Sequence, residues 1–437
     1  MKMKITISLV ALCLFGTALS QDVFTIEQAQ AYALEHNMEV SNAKLDERIM
    51  EAKIWETTAA GLPQVSAKGE FMNYIDIPTQ VLPANAFNPM APEGELIGLQ
   101  FGTNYNTTGS VSASQLVFSG NYIVGLQAVK ASSQVYSQLT EKKEIDVKFN
   151  VAEAFYTVLI LQQNKGILDS SLLNMRELLS MTNKLVDEEV MLRTNAYQLE
   201  LGVLQMQNAI QTIESQEQLA INLLKFQMGY PMEQNLSVTG DVNSVASGDA
   251  GAISVESNID YKILNTQLNL NQLSLKNTKA NYLPSLAAFF TYQKQALRND
   301  FDFFDSSKEW YPTTLWGLTL NIPIFSSGQR MSQVKQASIE VEKTEQNIAQ
   351  FSEGLKMQIF QATTNYDLAK KKLELQVKSR GFAEKVLIDT QVLYREGTAN
   401  SIELTQAQNQ LLTEQTNYTN ALYELIKAKL QLEKLAN

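Results

Sequence analysis

Few side chains in this 437-residue sequence are of types that do chemistry, and those few are not grouped for it. His36 is the only histidine, so one chain offers no histidine metal cluster. Only a three-fold axis would gather several copies, and His36 reads instead as a solvated helix residue. The 14 methionines are scattered, which does not indicate a copper relay. No glycine-rich phosphate loop, catalytic-triad pattern or paired-carboxylate spacing stands out. Lys370-Lys371-Lys372 reads as a solvated helix face. The expectation is a protein with no catalytic residue, no cofactor and no metal. Its function has to come from shape.

The elements start with an export signal. Lys2 and Lys4, an apolar run from Ile5 to Ala18, and small residues at Ala18 and Ser20 before Gln21 make a secretory signal peptide of residues 1–20. The single cysteine, Cys13, lies inside that run behind Leu12, where lipidation needs a small residue. The mature chain is therefore expected to carry no cysteine and no disulfide. Removing residues 1–20 takes away two of the 35 basic side chains and none of the 46 acidic ones, so the formal charge moves from −11 to −13. Such a chain is a poor partner for nucleic acid or for an anionic lipid surface as a whole. No later apolar run is long enough to span a bilayer as a helix. Entry into a membrane would require strands in a closed barrel, because open edges are not tolerated in lipid.

The sequence repeats itself once. Gly61-Leu62-Pro63-Gln64-Val65 is echoed by Tyr282-Leu283-Pro284-Ser285-Leu286. Gln115-Leu116-Val117-Phe118-Ser119 is echoed by Ile322-Pro323-Ile324-Phe325-Ser326, with Gly120 and Gly328 following. The period is far too long for a solenoid. Residues 21–230 form the first copy, 231–254 a Gly- and Ser-rich connector at mid-height, and 255–437 the second copy.

Each copy reads as helix, strand pair, very long helix and returning helix. Residues 25–60 place Ala29, Ala33, Val40 and Ala43 at helical spacing, with Thr25 as a start signal. Strands are expected at about 64–74, 109–118, 285–294 and 315–325. Val65, Ala67, Gly69 and Phe71 alternate with Gln64, Ser66, Lys68 and Glu70. Val111, Ala113, Gln115 and Val117 oppose Ser112 and Ser114, and Leu318, Leu320, Ile322 and Ile324 oppose Thr319 and Asn321. Segments of about ten residues, apolar on one side, match membrane barrel strands, although a soluble sandwich shares the alternation. Trp310, Tyr311 and Trp316 gather as an aromatic belt would. Long polar loops, about 75–108 and 295–314, separate the paired strands.

From Gly120 to about Glu189, and again from Gly328 to Glu396, there is no proline and almost no glycine. Stretches of roughly 70 residues make helices of about 100 Å. Returning helices of about half that length, 195–229 and 400–436, are completed by 25–60 and 255–281. Four strands cannot close a barrel, whereas three chains supply twelve.

These features resemble the TolC-type outer-membrane efflux channels. The likeness rests on the duplicated helix–hairpin–helix plan, the Leu-Pro before each first strand and the run Ile322-Pro323-Ile324-Phe325-Ser326-Ser327-Gly328. It also rests on Tyr394-Arg395-Glu396-Gly397-Thr398 followed by Ile402-Glu403-Leu404 and Ala407-Gln408, and it covers 25–436. The resemblance implies a mixed α and β fold. A long α-helical periplasmic tunnel would join four transmembrane β-strands per chain, closing a 12-strand barrel as a homotrimer in outer-membrane lipid. It further implies a passive exit duct that meets a periplasmic adaptor and an inner-membrane transporter, and no enzyme.

By position, the resemblance makes Tyr394 the linking tyrosine of the periplasmic tip and Glu403 its first acidic position. Gln406 stands where a second acid is often found, Ala399 where some members carry a basic partner, and Ala196 where some carry an acid in the first copy. The expected tip thus has one carboxylate ring and few ionic locks. The adaptor-contact turns would comprise Val190, Thr194 and Asn195 in the first copy, with Gly397, Thr398 and Asn400 in the second. Gly397 suits a helix C-terminus, and Asn400 with Glu403 suits a capping box. Glu403 is expected as a cap, as part of a selectivity ring, or as both. In the first copy Thr194 or Asn195 is the expected cap, and Val190 occupies the place of Gly397.

Two other functions fit parts of the sequence. A periplasmic coiled-coil adaptor or scaffold would show strict heptads and a single helical hairpin. An autonomous diffusion porin would share the strands but not the long helices. Drifting apolar positions, often Ala, Gln, Asn or Ser, favour helices packed around a wide wet lumen.

Overall fold

The computed structural model describes residues 22–242 and 253–437. The expected signal peptide with Cys13, and residues 243–252 of the expected connector, lie outside them. The chain divides into two units. One comprises residues up to Leu45, Gln138–Lys262 and Gln350–Asn437, and the other comprises Asp46–Ser137 and Ile263–Ala349.

The second unit is built on a sheet. Strands β2 (Gln64–Asn73), β5 (Tyr105–Ser119), β7 (Ser285–Arg298) and β8 (Tyr311–Asn321) lie in the order β2-β5-β7-β8, all antiparallel. Because side chains alternate along each strand, register decides whether the apolar positions of the four strands share a face. They do: Val65, Ala113, Phe290 and Trp316 form one row, and Ala67, Val111, Tyr292 and Thr314 the next. The opposite face carries Ser66, Ser112, Thr291 and Leu315, then Lys68, Ser110, Gln293 and Thr313. One face is greasy and uncovered, with Val65 at 71% exposure and Trp316 at 78%. Among the described residues, the outer strands β2 and β8 each have one unpaired side.

Three expectations for the strands need correction. The register of β5 slips between Leu116 and Phe118, so Phe118 rather than Val117 stands opposite Leu286. A bulge of this kind adds one residue and flips the alternation beyond it. Strand β8 spans 311–321 instead of 315–325, since Pro323 has no N–H to continue a ladder. Ile322 and Ile324 therefore lie beyond the strand. The first long loop is not structureless either: β3 (Thr79–Pro83) pairs antiparallel with β4 (Leu96–Gln100) inside it.

The first unit is helical. It holds helix α3 (Gly120–Asp187, 68 residues) from Gln138 onward, helix α6 (Gln329–Arg395, 67 residues) from Gln350 onward, and the returning helices α4 (Arg193–Met228) and α7 (Ser401–Ala436) of 36 residues each. β5 passes into α3 with no residue between them. One core gathers Val151, Phe155, Leu159, Leu224, Leu422 and Ile426 from three helices. The short parallel pair β1 (Asp22–Phe24) and β6 (Leu236–Val238) covers part of it, with Phe24, Tyr32 and Tyr230 in edge or tilted ring contact.

Helix 25–60 is broken where continuity was expected. α1 (Ile26–His36) ends at Asn37, and α2 (Met38–Ala59) starts beyond it. Asn37 is buried; its Oδ1 accepts from Glu39 N at 2.7 Å, and its Nδ2 donates to Gln227 O at 2.7 Å. One side chain thus caps α2 and satisfies a carbonyl at the end of α4. Asn258 repeats the device at the start of α5 (Ile259–Ala280), accepting from Asp260 N at 3.1 Å and donating to Leu435 O at 3.2 Å. The two asparagines stand 221 residues apart, the spacing of Gly61 and Tyr282. Gly229 ends α4 at φ 70°, where a Cβ would lie 2.5 Å from His36 O, so glycine is required there.

Losing such an asparagine removes a cap and orphans a helix-terminal carbonyl. Asn258→Ala is expected to cost about 2 kcal/mol, read as a lowered melting temperature. Thr419→Ala, on the same helix as Leu435, is expected to change it far less.

Candidate functional site

The two turns that end the long helices lie side by side in the helical unit. In the second copy, Gly397 follows α6 with φ 76°, and Thr398 N and Ala399 N both return to Leu393 O. Asn400 then starts α7 in a complete capping box: Glu403 N donates to Asn400 Oδ1 at 2.9 Å, and Asn400 N to Glu403 Oε2 at 3.1 Å. Two orphan backbone donors are satisfied reciprocally. Glu403 and Gln406 are exposed beside this cap.

The first turn has the same hydrogen-bond plan with different residues. Val190 N and Met191 N both return to Leu185 O. The left-handed residue is Glu189 at φ 61°, so Glu189 and not Val190 matches Gly397. A side chain there brings Cβ near the following carbonyl, a strain glycine avoids. The cap is Leu192, which offers no side-chain acceptor, while Thr194 and Asn195 lie inside the first turn of α4. The expected capping by Thr194 or Asn195 is therefore corrected. Asn195 serves another purpose: Ser401 Oγ, fully buried, contacts Asn195 Oδ1 at 2.7 Å and Gln198 Oε1 at 2.6 Å. Val190 and Leu192 project instead, 68% and 74% exposed.

Tyr394 ties the two long helices together. Its ring is 1% exposed in a core with Leu178, Leu199, Leu387 and Leu404. Its hydroxyl lies 2.8 Å from Thr182 Oγ1 on α3 and 3.8 Å from Met191 Sδ. Thr182 Oγ1 also donates to Leu178 O at 2.8 Å, so it accepts from the tyrosine. The link is neutral, and Ala399 supplies no cation. Among the described residues no group of three or more His, Cys, Asp or Glu side chains could hold a metal.

The structure brings Tyr394 to Met191, and Ser401 to Asn195, while Thr398, Gln406 and Thr194 stay on the surface. Sequence reasoning missed Thr182, Glu189, Leu192 and Ser401. The signal for Glu189 was available: laying Leu185 over Leu393 aligns it with Gly397, 208 residues later. Nothing in the sequence marks Thr182 among the threonines of a long helix.

Residues 262–437 match the model of the family described as Outer membrane efflux protein. The chain is 14% identical to CusC, a structure that addresses transmembrane channel formation, covering 94% of this chain and 92% of that one at a TM-score of 0.73. The chain shares the fold of that structure. The CmeC outer membrane channel of Campylobacter jejuni, at 13% identity, covers 94% and 85% with a TM-score of 0.71. The outer membrane protein VceC of Vibrio cholerae, at 14%, covers 94% and 96% with a TM-score of 0.68. No curated protein matches by sequence.

Two substitutions test the local account. Glu189→Gly relieves the left-handed strain and is expected to raise stability by about 1 kcal/mol, measured by urea or thermal unfolding. Tyr394→Phe removes one buried hydrogen bond and is expected to cost about 1 kcal/mol, with no change in helix content by circular dichroism.

Proposed function

We propose that this chain is the outer-membrane exit duct of a tripartite efflux or type I secretion system, a passive homotrimer that docks a periplasmic adaptor and an inner-membrane pump. One observation carries the reading: a four-stranded sheet, greasy on one face and unpaired at both edges, passes directly from β5 into a helix of 68 residues. In lipid every backbone N–H and C=O needs a partner. Three copies joined β2 to β8 give twelve strands and no edge. The face with Val65, Phe290, Trp316 and Leu318 meets the acyl chains, and the face with Ser66, Ser110, Thr291 and Gln293 lines the water.

The helices support the same assembly. Tyr197, Leu201, Leu204, Leu219, Leu223 and Phe226 on α4 recur at spacings that fall on one helix face, and all are exposed. Phe360, Leu368, Leu375, Phe382 and Leu393 do the same on α6. Two apolar stripes on one subunit suit the flanks of a closed ring, where each meets the other's counterpart on the next copy.

The helix turns form the periplasmic tip. Tyr394 holds the tip helices within each subunit, while Glu403 and Gln406 face the narrowing around the three-fold axis. The surface offered to an adaptor comprises Val190, Thr194, Asn195, Gly397, Thr398 and Asn400. Transport energy comes from the pump. Three Glu403 carboxylates around a narrow mouth favour cations over a range of about 8 Å at physiological salt.

Planar-bilayer recording tests this reading. The wild type is expected to give small, cation-favouring channels; large permanently open ones would indicate a porin, and none a scaffold. Glu403→Gln keeps the cap's hydrogen bonds but removes the charge, and is expected to weaken cation preference. Leu318 and Thr319 are neighbours on opposite faces. Leu318→Arg is expected to block membrane assembly, at a cost of about 2–4 kcal/mol, while Thr319→Arg still assembles.

A further inference from the structure

One row of the sheet departs from the pattern around it. Gly69, Gly109, Lys294 and Pro312 are paired in register across the four strands, on the face that carries Val65, Val111 and Tyr292. The two adjacent glycines open a notch of about 450 Å³, walled by Ala67, Val111, Tyr292, Lys294 and Trp310. Neither glycine has the left-handed backbone that would demand its type, and a Cβ built on either meets no atom within 4 Å. The fold leaves room for side chains that the sequence withholds.

The notch is electrically one-sided. No carboxylate lines it. Lys68 at its rim is engaged with Glu70 at 2.9 Å, whereas the exposed Lys294 ammonium has no partner among the described residues. An unpaired lysine on a lipid face is costly at mid-bilayer and tolerable only near the interface. Nine residues past the start of β7, at about 3.3 Å each and a tilt of about 40°, place Lys294 roughly 23 Å up an apolar band about 25 Å tall. That level is the rim farthest from the helices, where Tyr292 and Trp310 form the aromatic border.

We propose that this notch binds one phosphorylated lipid of the outer leaflet per subunit, its phosphate on Lys294 and the first carbons of an acyl chain over Gly69 and Gly109. The site rests on the barrel reading. The acidic charge of the whole chain opposes broad adhesion to anionic membranes, but a single lysine beside a chain-wide groove selects one molecule.

Native mass spectrometry of the detergent-solubilised full-length trimer, titrated with phosphatidic acid and separately with phosphatidylcholine, tests the site. The expected result is up to three phosphatidic acid molecules per trimer, held in preference to phosphatidylcholine and not displaced by inorganic phosphate. Lys294→Gln is expected to weaken retention about fivefold. Gly109→Leu, whose Cβ meets no atom within 4 Å and whose side chain would occupy the notch, is expected to weaken it as well, and both variants keep wild-type conductance. Equal retention by wild type and Lys294→Gln, or complete displacement by inorganic phosphate, overturns the lipid site while leaving the duct intact. A wild type that forms no channels overturns the barrel and this site together.

Discussion

Everything in this molecule turns on the unpaired backbone along β2 and β8. A sheet with two open edges is tolerable in water if the edges are short or charged, but not in hydrocarbon, where each orphaned N–H or C=O costs several kcal/mol. The greasy row through Val65, Phe290 and Trp316 argues for hydrocarbon. On the proposed reading, closure with further copies answers both facts. It would also give a use to the apolar sides of α4 and α6, and would make the polar sheet face the lining of a conduit.

The two repeats solve the same problems with different residues. At the junctions both use a buried asparagine, Asn37 and Asn258, to cap one helix and satisfy the end of another. At the turns they diverge. The second copy has the glycine, the capping box and the tyrosine; the first has a strained glutamate and an uncapped leucine. The first turn thus carries a left-handed side chain and lacks the side-chain cap of the second.

The features legible in the sequence were those set by period. Alternation in Val65–Phe71 and in Leu318–Leu320 announced strands with one apolar face, and the long proline-free stretches announced the long helices. Events of a single residue were not legible. The bulge at Leu116–Phe118 changes register without changing composition, so Val117 looked like the continuation of the apolar face of Val111 and Ala113. Asn37 sits inside an apparently continuous helical pattern, since Met38 and Glu39 are as helical as what precedes them. Thr194 and Asn195 looked like caps because their types favour capping, but α4 begins two residues earlier, where hydrogen bonds to Leu185 fix the turn. In the candidate site, Glu403 and Asn400 were readable because a capping box is local. The pairing of Tyr394 with Thr182 was not, because it joins residues 212 positions apart.

Hydrogen exchange of the membrane-embedded protein, resolved by strand, addresses the edge closure most directly. If three copies seal one wall, the amides of β2 and β8 will exchange as slowly as those of the interior strands β5 and β7. Edge amides that exchange freely while β5 and β7 stay protected would mean that the sheet ends in solvent, and no duct of this kind exists.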